Sequence, residues 1–262
     1  MRRLLLASLL LVSTAAPAAE TQLDLARKLM ALDGSEEHLR TLAEQIRAQI
    51  RGAKARLSED EFKTLNKSFD RHFDGDAMAE RFAETFSKQA REGEFQAALK
   101  WYDTPLGKKF TDINRRGTTP EGMKANRDFA KSLEKKPPAA SRVALIEQLD
   151  KALHLTDLYV DLTANVTNNL LFAMHGTTSK ARTLNEFRLN SREVLHRTML
   201  NNFIVADRDL SDEEFRQYIA YVTSKAGHSV FEASFLALDD ALRHAAGLVA
   251  ADMRKFSEEE QN

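Results

Sequence analysis

The chain offers few residues whose type and spacing could do chemistry. Glu193-Val194-Leu195-His196 sets a carboxylate and an imidazole one helical turn apart, as in the helical bundles that hold a di-iron centre. Such centres use that motif twice, and the sequence carries it once, so the stretch reads as a solvated helical face. Asp70-Arg71-His72-Phe73-Asp74-Gly75-Asp76 has the opening of a calcium loop. His72 spoils its third position, however, and Arg81 stands where the bidentate Glu belongs. The stretch therefore reads as a helix terminus capped by Asp74 or Asp76. The seven histidines (His38, His72, His154, His175, His196, His228 and His244) form no His-Glu-x-x-His or other zinc spacing. There is no Gly-x-Ser-x-Gly elbow, phosphate-cradling Gly loop or dinucleotide fingerprint. With 0 Cys, thiol catalysis and Cys-ligated metals are excluded. The sequence thus assigns no catalytic, cofactor-binding or metal-binding residue.

The elements that would position a site can be read more fully. Ser58 with Glu61, and Ser211 with Glu214, each form a capping box, in which the hydroxyl and the carboxylate satisfy backbone N–H groups reciprocally. Leu57 and Phe62 flank the first box as a hydrophobic staple, and Leu210 and Phe215 flank the second. Thr104-Pro105 and Thr119-Pro120 are further helix starts with Pro at the first helical position. Two broad apolar stripes follow the helical period: Ile146, Leu149, Leu153, Leu158, Leu162, Val166 and Leu170, then Phe231, Phe235, Leu238, Leu242, Ala245, Val249 and Phe256. Phe203-Ile204-Val205 reads as a helix end, and no strand is expected.

One motif stands out. Phe95 to Lys109 (FQAALKWYDTPLGKK) reads as an amphipathic helix with an aromatic end, a sharp break and a new helix. Trp101 and Tyr102 supply the aromatic end, Thr104 caps, Pro105 pre-sets φ and Gly107 admits a close neighbour. The stretch resembles the signature of a bacterial family of exported helical proteins, the domain of unknown function 2059. That signature is an acidic-aromatic helix followed by aromatic-x-(Ser/Thr)-Pro-x-Gly-x-Lys. Tyr102, Thr104, Pro105, Gly107 and Lys109 match it. The resemblance implies export and an all-helical fold, and carries over no activity, ligand or catalytic residue. Shifting the sequence by 120 positions lays Trp101 on Tyr221, Thr104 on Ser224 and Gly107 on Gly227, and Glu94-Phe95 on Glu214-Phe215. The chain is therefore read as two diverged copies, the second with Lys225 where Pro is expected. Trp101 and Tyr102 could anchor a recognition surface or pack a helix corner, and the corner is the favoured reading because aromatics beside Gly are ordinary packing.

The N-terminus carries an address. Arg2 and Arg3, the apolar run Leu4 to Val12, and Ala16-Pro17-Ala18 have the layout of a Sec-type signal peptide. Cleavage is expected after Ala18, with Ala19 the alternative. The run is too short to span a bilayer, and the mature protein is expected to be soluble, periplasmic or secreted. Net charge is −1, or near −3 once Arg2 and Arg3 are removed. That balance gives no basic face for nucleic acid.

The expected fold is all-α: two helical-bundle lobes of four to five helices each, one over residues 19–136 and one over 139–262, joined near Pro137-Pro138. Three functions stay open. The first is a non-enzymatic envelope or secreted module that binds another exported or envelope protein or supports other exported proteins. The second is a carrier of an apolar or amphiphilic small molecule between helices, suggested by 15 Phe in a charged chain. The third is an enzyme with a non-standard site.

Overall fold

A computed structural model describes residues 20–52, 58–175 and 181–260. Residues 1–18, on which the signal-peptide reading rests, and Leu57 of the first staple lie outside that range. Among the described residues the chain is all-helical, with twelve helices and no strand. They are α1 (Gln22–Asp33), α2 (Ser35–Arg51), α3 (Glu59–His72), α4 (Gly75–Gln89), α5 (Glu92–Tyr102), α6 (Pro105–Thr118), α7 (Pro120–Ser132), α8 (Ala140–Leu153), α9 (Leu155–His175), α10 (Ala181–Ala206), α11 (Asp212–Val222) and α12 (Lys225–Glu260).

The local signals explain most of these boundaries. The Ser58 hydroxyl accepts from Glu61 N–H at 3.2 Å while Glu61 accepts from Ser58 N–H at 2.8 Å. Ser211 and Glu214 repeat the box at 3.2 and 2.7 Å. Thr104 and Thr119 cap α6 and α7 through the N–H groups of Gly107 and Gly122. Asp74, not Asp76, caps α4 by accepting from Ala77 N–H at 2.9 Å. Phe203 to Val205 close α10.

Two features differ from expectation. Among the described residues seven helices, not four to five, precede Pro137, and Gly34 in a left-handed conformation (φ 79°) makes a break between α1 and α2 that the sequence reading did not mark. The stripe beginning at Ile146 does not form one continuous helix either. His154 adopts a left-handed conformation (φ 53°) and ends α8, and α9 begins at the next residue. Asp150 makes that break tolerable by accepting from both Thr156 N–H (2.7 Å) and Thr156 Oγ1 (2.8 Å), satisfying a donor at the buried start of α9.

Two apolar cores result. One joins Leu25, Leu29, Phe69, Phe73, Phe82, Phe86 and Phe95 to Val230, Ala237, Ala241, Leu242 and Val249 of α12. Helices from both sides of Pro137-Pro138 therefore share a core. α12 lies against α3, α4, α5 and α9, and its buried face is mainly alanine, which lets several helices approach closely. The other core gathers Phe110 and Ile113 of α6 with Ile146, Leu149, Met199, Phe215 and Ile219.

A candidate ligand cleft beside paired aromatic corners

The corner between α5 and α6 and the corner between α11 and α12 are built alike. Thr104 Oγ1 accepts from Gly107 N–H at 3.1 Å, and Ser224 Oγ accepts from Gly227 N–H at 3.2 Å. Both glycines are buried. A Cβ on Gly107 would collide with the backbone of Trp101 and Tyr102, and one on Gly227 with that of Tyr221 and Val222. Close backbone approach, not an unusual φ, is what demands glycine at both places.

The corners also touch. The Trp101 ring stacks on Tyr221 with centroids 4.1 Å apart and planes 8° from parallel. Tyr102 meets Trp101 edge-on at 4.9 Å, and Phe110 stacks on Tyr218 at 4.4 Å. Lys109 Nζ donates to both oxygens of Glu214, at 2.7 and 2.8 Å. That contact, followed by the Ser211 amide, pulls the Glu214 carboxyl down to about 2. Glu94 is held low by the Arg91 amide first and then by a hydrogen bond from Ser229. The sequence motif thus places Trp101 and Tyr102 half-buried in an aromatic cluster, with Thr104, Pro105 and Ser224 on the outer side of the turns.

Beside this cluster runs a cleft of about 830 Å³, lined by Tyr102, Phe110, Tyr218, Tyr221, Phe231 and the carboxyl-bearing Asp33 and Asp207, among others. Its size falls within the usual range for small-molecule sites. Asp207 is 5% exposed, and burial drives its carboxyl up to about 7, with Arg142 opposing. Arg142 itself is engaged by Asp212 at 3.0 Å and by the Leu210 carbonyl. Desolvation likewise lifts Asp33 to about 7, although its Oδ1 accepts from Ser35 N–H at 2.8 Å. Burial raises the Tyr102 and Tyr218 hydroxyls well above their ordinary value, and Asp33 adds to both shifts. The cleft therefore combines aromatic walls with hydroxyls and two carboxyls that resist ionisation.

The residues weighed for metal chemistry disperse differently. In the would-be calcium loop, Asp70 pairs with Arg51 at 2.7 Å, Asp76 with Arg40 at 2.7 Å, and His72 with Asp252 at 2.9 Å. Glu193 is exposed. His196 instead reaches Glu147 and Asp150 of α8, a grouping no local spacing announces. Among the basic residues of α6, Lys108 pairs with Asp103 at 2.7 Å and Arg116 with Asp209 at 3.2 Å, so these charges are met on the protein.

These features describe a helical bundle built on two similar aromatic corners with a ligand-sized cleft beside them. Residues 75–139, which run from the start of α4 to the N-cap of α8, match the model of a family described as an uncharacterized protein conserved in bacteria, domain of unknown function 2059. The match contains the whole Tyr102-to-Lys109 turn and does not extend to the second corner. No curated protein and no solved structure matches the chain.

Proposed function

We propose that the protein is a non-catalytic carrier that holds a small amphiphilic molecule in the cleft between its helices. The observation that supports this reading is the cleft itself: about 830 Å³ of space with aromatic walls, and Asp207 nine-tenths buried at its edge. Burying a carboxyl costs free energy unless a partner meets it. The apolar part of a ligand would lie against Phe110, Phe231 and the tyrosine rings. Its polar end would exchange hydrogen bonds with Asp33, Asp207 and the tyrosine hydroxyls. The similar construction of the two corners favours a diverged repeat with the cleft alongside its junction. A location outside the cytoplasm is part of this reading, supported by the signal-peptide layout of the first residues, and no described helix is long and apolar enough to cross a membrane.

The direct test is a native mass spectrum of protein gently released from its own cells. Added mass of a few hundred daltons per chain, lost on delipidation, is the expected result. The same spectrum tests the expected cleavage after Ala18, with Ala19 the alternative. Delipidated protein should then recover its thermal stability with the extracted molecule, and Trp101, the one Trp in the chain, should report binding through a change in emission. A bare chain in the spectrum, together with no thermal shift from cell lipid extract, would sink the proposal.

A second reading, a docking module for an exported protein, draws on Leu189 (75% exposed) and Val194 (54% exposed) on α10. A whole protein chain added in the native spectrum would favour it instead.

A further inference from the structure

We propose that Glu147, Asp150 and His196 form a binding site for a divalent transition-metal ion of the zinc class, on the surface between α8 and α10 and independent of the cleft. Among the described residues this is the group of His and acidic side chains whose donor atoms converge for a metal, all within 4.8 Å of one another.

The distances favour a metal over a simple ion pair. His196 Nε2 lies 3.3 Å from Glu147 Oε2 and 3.6 Å from Asp150 Oδ2. A charge-assisted hydrogen bond would settle at about 2.7–2.9 Å, so neither contact is a well-made bond. Tetrahedral ligands bound at about 2.0–2.2 Å, however, stand about 3.3–3.6 Å from one another. The imidazole thus stands at ligand spacing from each carboxylate, and the two carboxylate oxygens lie within 4.8 Å of each other.

The donor set also selects the metal. Calcium and magnesium prefer oxygen ligands alone, whereas an imidazole with carboxylates suits zinc, manganese or iron(II). Three protein donors leave a coordination position open to water, in keeping with a partly exposed site: the Glu147, Asp150 and His196 side chains are 46%, 14% and 30% exposed.

Asp150 is the most enclosed of the three, and its orientation is fixed from behind. Both of its oxygens accept hydrogen bonds from the buried Thr156, as described for the α8–α9 break. Partners of this kind orient metal-binding carboxylates and raise affinity by about 10- to 100-fold. The break at His154 therefore sets Asp150 in a fixed pose one helical turn from Glu147, facing the imidazole carried by α10. Arg192, one turn before His196, is taken up by Asp157.

The test is calorimetric titration of Zn²⁺ into chelator-treated full-length protein, with Co²⁺ as a spectroscopic probe. The expected result is one tight equivalent, and visible cobalt bands of a four- or five-coordinate site. His196→Ala should weaken that equivalent at least 100-fold, and Glu147→Gln at least 10-fold. Glu193→Gln, three residues from His196 but outside the group, should change nothing. Circular dichroism establishes that each variant is folded before titration. Absence of a stoichiometric site in the folded wild-type protein would overturn the proposal, as would equal affinity in folded His196→Ala, which would move binding to other histidines.

Discussion

Burial gives Asp33 and Asp207 carboxyls that titrate near 7 in the folded chain, against about 3.9 when unfolded. Between those values the native state holds protons that the unfolded state has released. The folded state is therefore favoured by these groups at the acid end, and the benefit is lost progressively as pH rises from about 4 to about 7, by up to about 4 kcal/mol per carboxyl. Glu214 acts in the opposite sense, but its window lies between its ordinary value and about 2. The melting temperature should consequently peak near pH 4 and fall toward pH 7. Asp33→Asn and Asp207→Asn should flatten that slope, since an amide keeps the shape without the charge. A wild-type melting temperature that rises from pH 4 to pH 7 would contradict this. The glycines permit an equally local test. Gly107→Ala and Gly227→Ala force a Cβ into neighbouring backbone and should each cost about 1–3 kcal/mol in chemical denaturation. Gly247→Ala, exposed in α12 with nothing within 4 Å of the added atom, should instead gain about 0.5–1 kcal/mol.

Helix pairs carry the next level of organisation, and here the two corners act on each other. Lys109 of α6 reaches across to Glu214, which also closes the capping box of α11. Lys109→Ala should raise the Glu214 carboxyl from about 2 toward its ordinary range, measurable by carbon-detected NMR titration. Both side chains are about one-third exposed, 37% and 31%, so the stability loss should stay below about 1 kcal/mol. An unmoved Glu214 titration would show the Ser211 amide alone to be sufficient. The parts of this arrangement that were legible in the sequence are the local ones. Capping boxes, Pro at the first helical position, and the Thr104-to-Gly107 turn depend on residues within a few positions of one another. Trp101 stacking on Tyr221 depends on how whole helices meet, and the 120-residue shift could pair those positions without indicating contact. The break at His154 left only a small mark, a step of five from Leu153 to Leu158 in an apolar stripe otherwise spaced by three or four. His196 drew notice through Glu193, yet its carboxylate neighbours come from α8, 49 residues away in the case of Glu147. The cleft had no sequence signal at all, because space between helices leaves no pattern in any one of them.

The molecule as a whole is tied together by α12, which at 36 residues is about 54 Å long. Its Val230, Ala233, Ala237, Ala241, Leu242, Ala245 and Val249 complete a core whose other wall is Phe69, Phe73, Phe82, Phe86 and Phe95. Polar contacts fix the same pairing: Arg81 and Thr85 of α4 both donate to Asp240, at 2.6 and 2.8 Å, and Ser68 donates to Asp252 at 2.9 Å. The halves on either side of Pro137-Pro138 thus depend on each other for burial, although local signals mark that dipeptide as a boundary. A fragment of residues 19–136 would leave the phenylalanine wall without its partner, and each uncovered side chain forfeits about 1.5–3 kcal/mol of burial, against a total stability of about 5–15 kcal/mol for a whole domain. The fragment should therefore keep helical far-ultraviolet circular dichroism, lose its near-ultraviolet signal and bind a hydrophobic dye, the behaviour of a compact chain without fixed packing. A peptide spanning residues 225–260, added in trans, should restore a cooperative melt. If the fragment melts cooperatively alone, α12 merely decorates a self-sufficient bundle, and the cleft beside the corners would have to be held open by the N-terminal helices themselves.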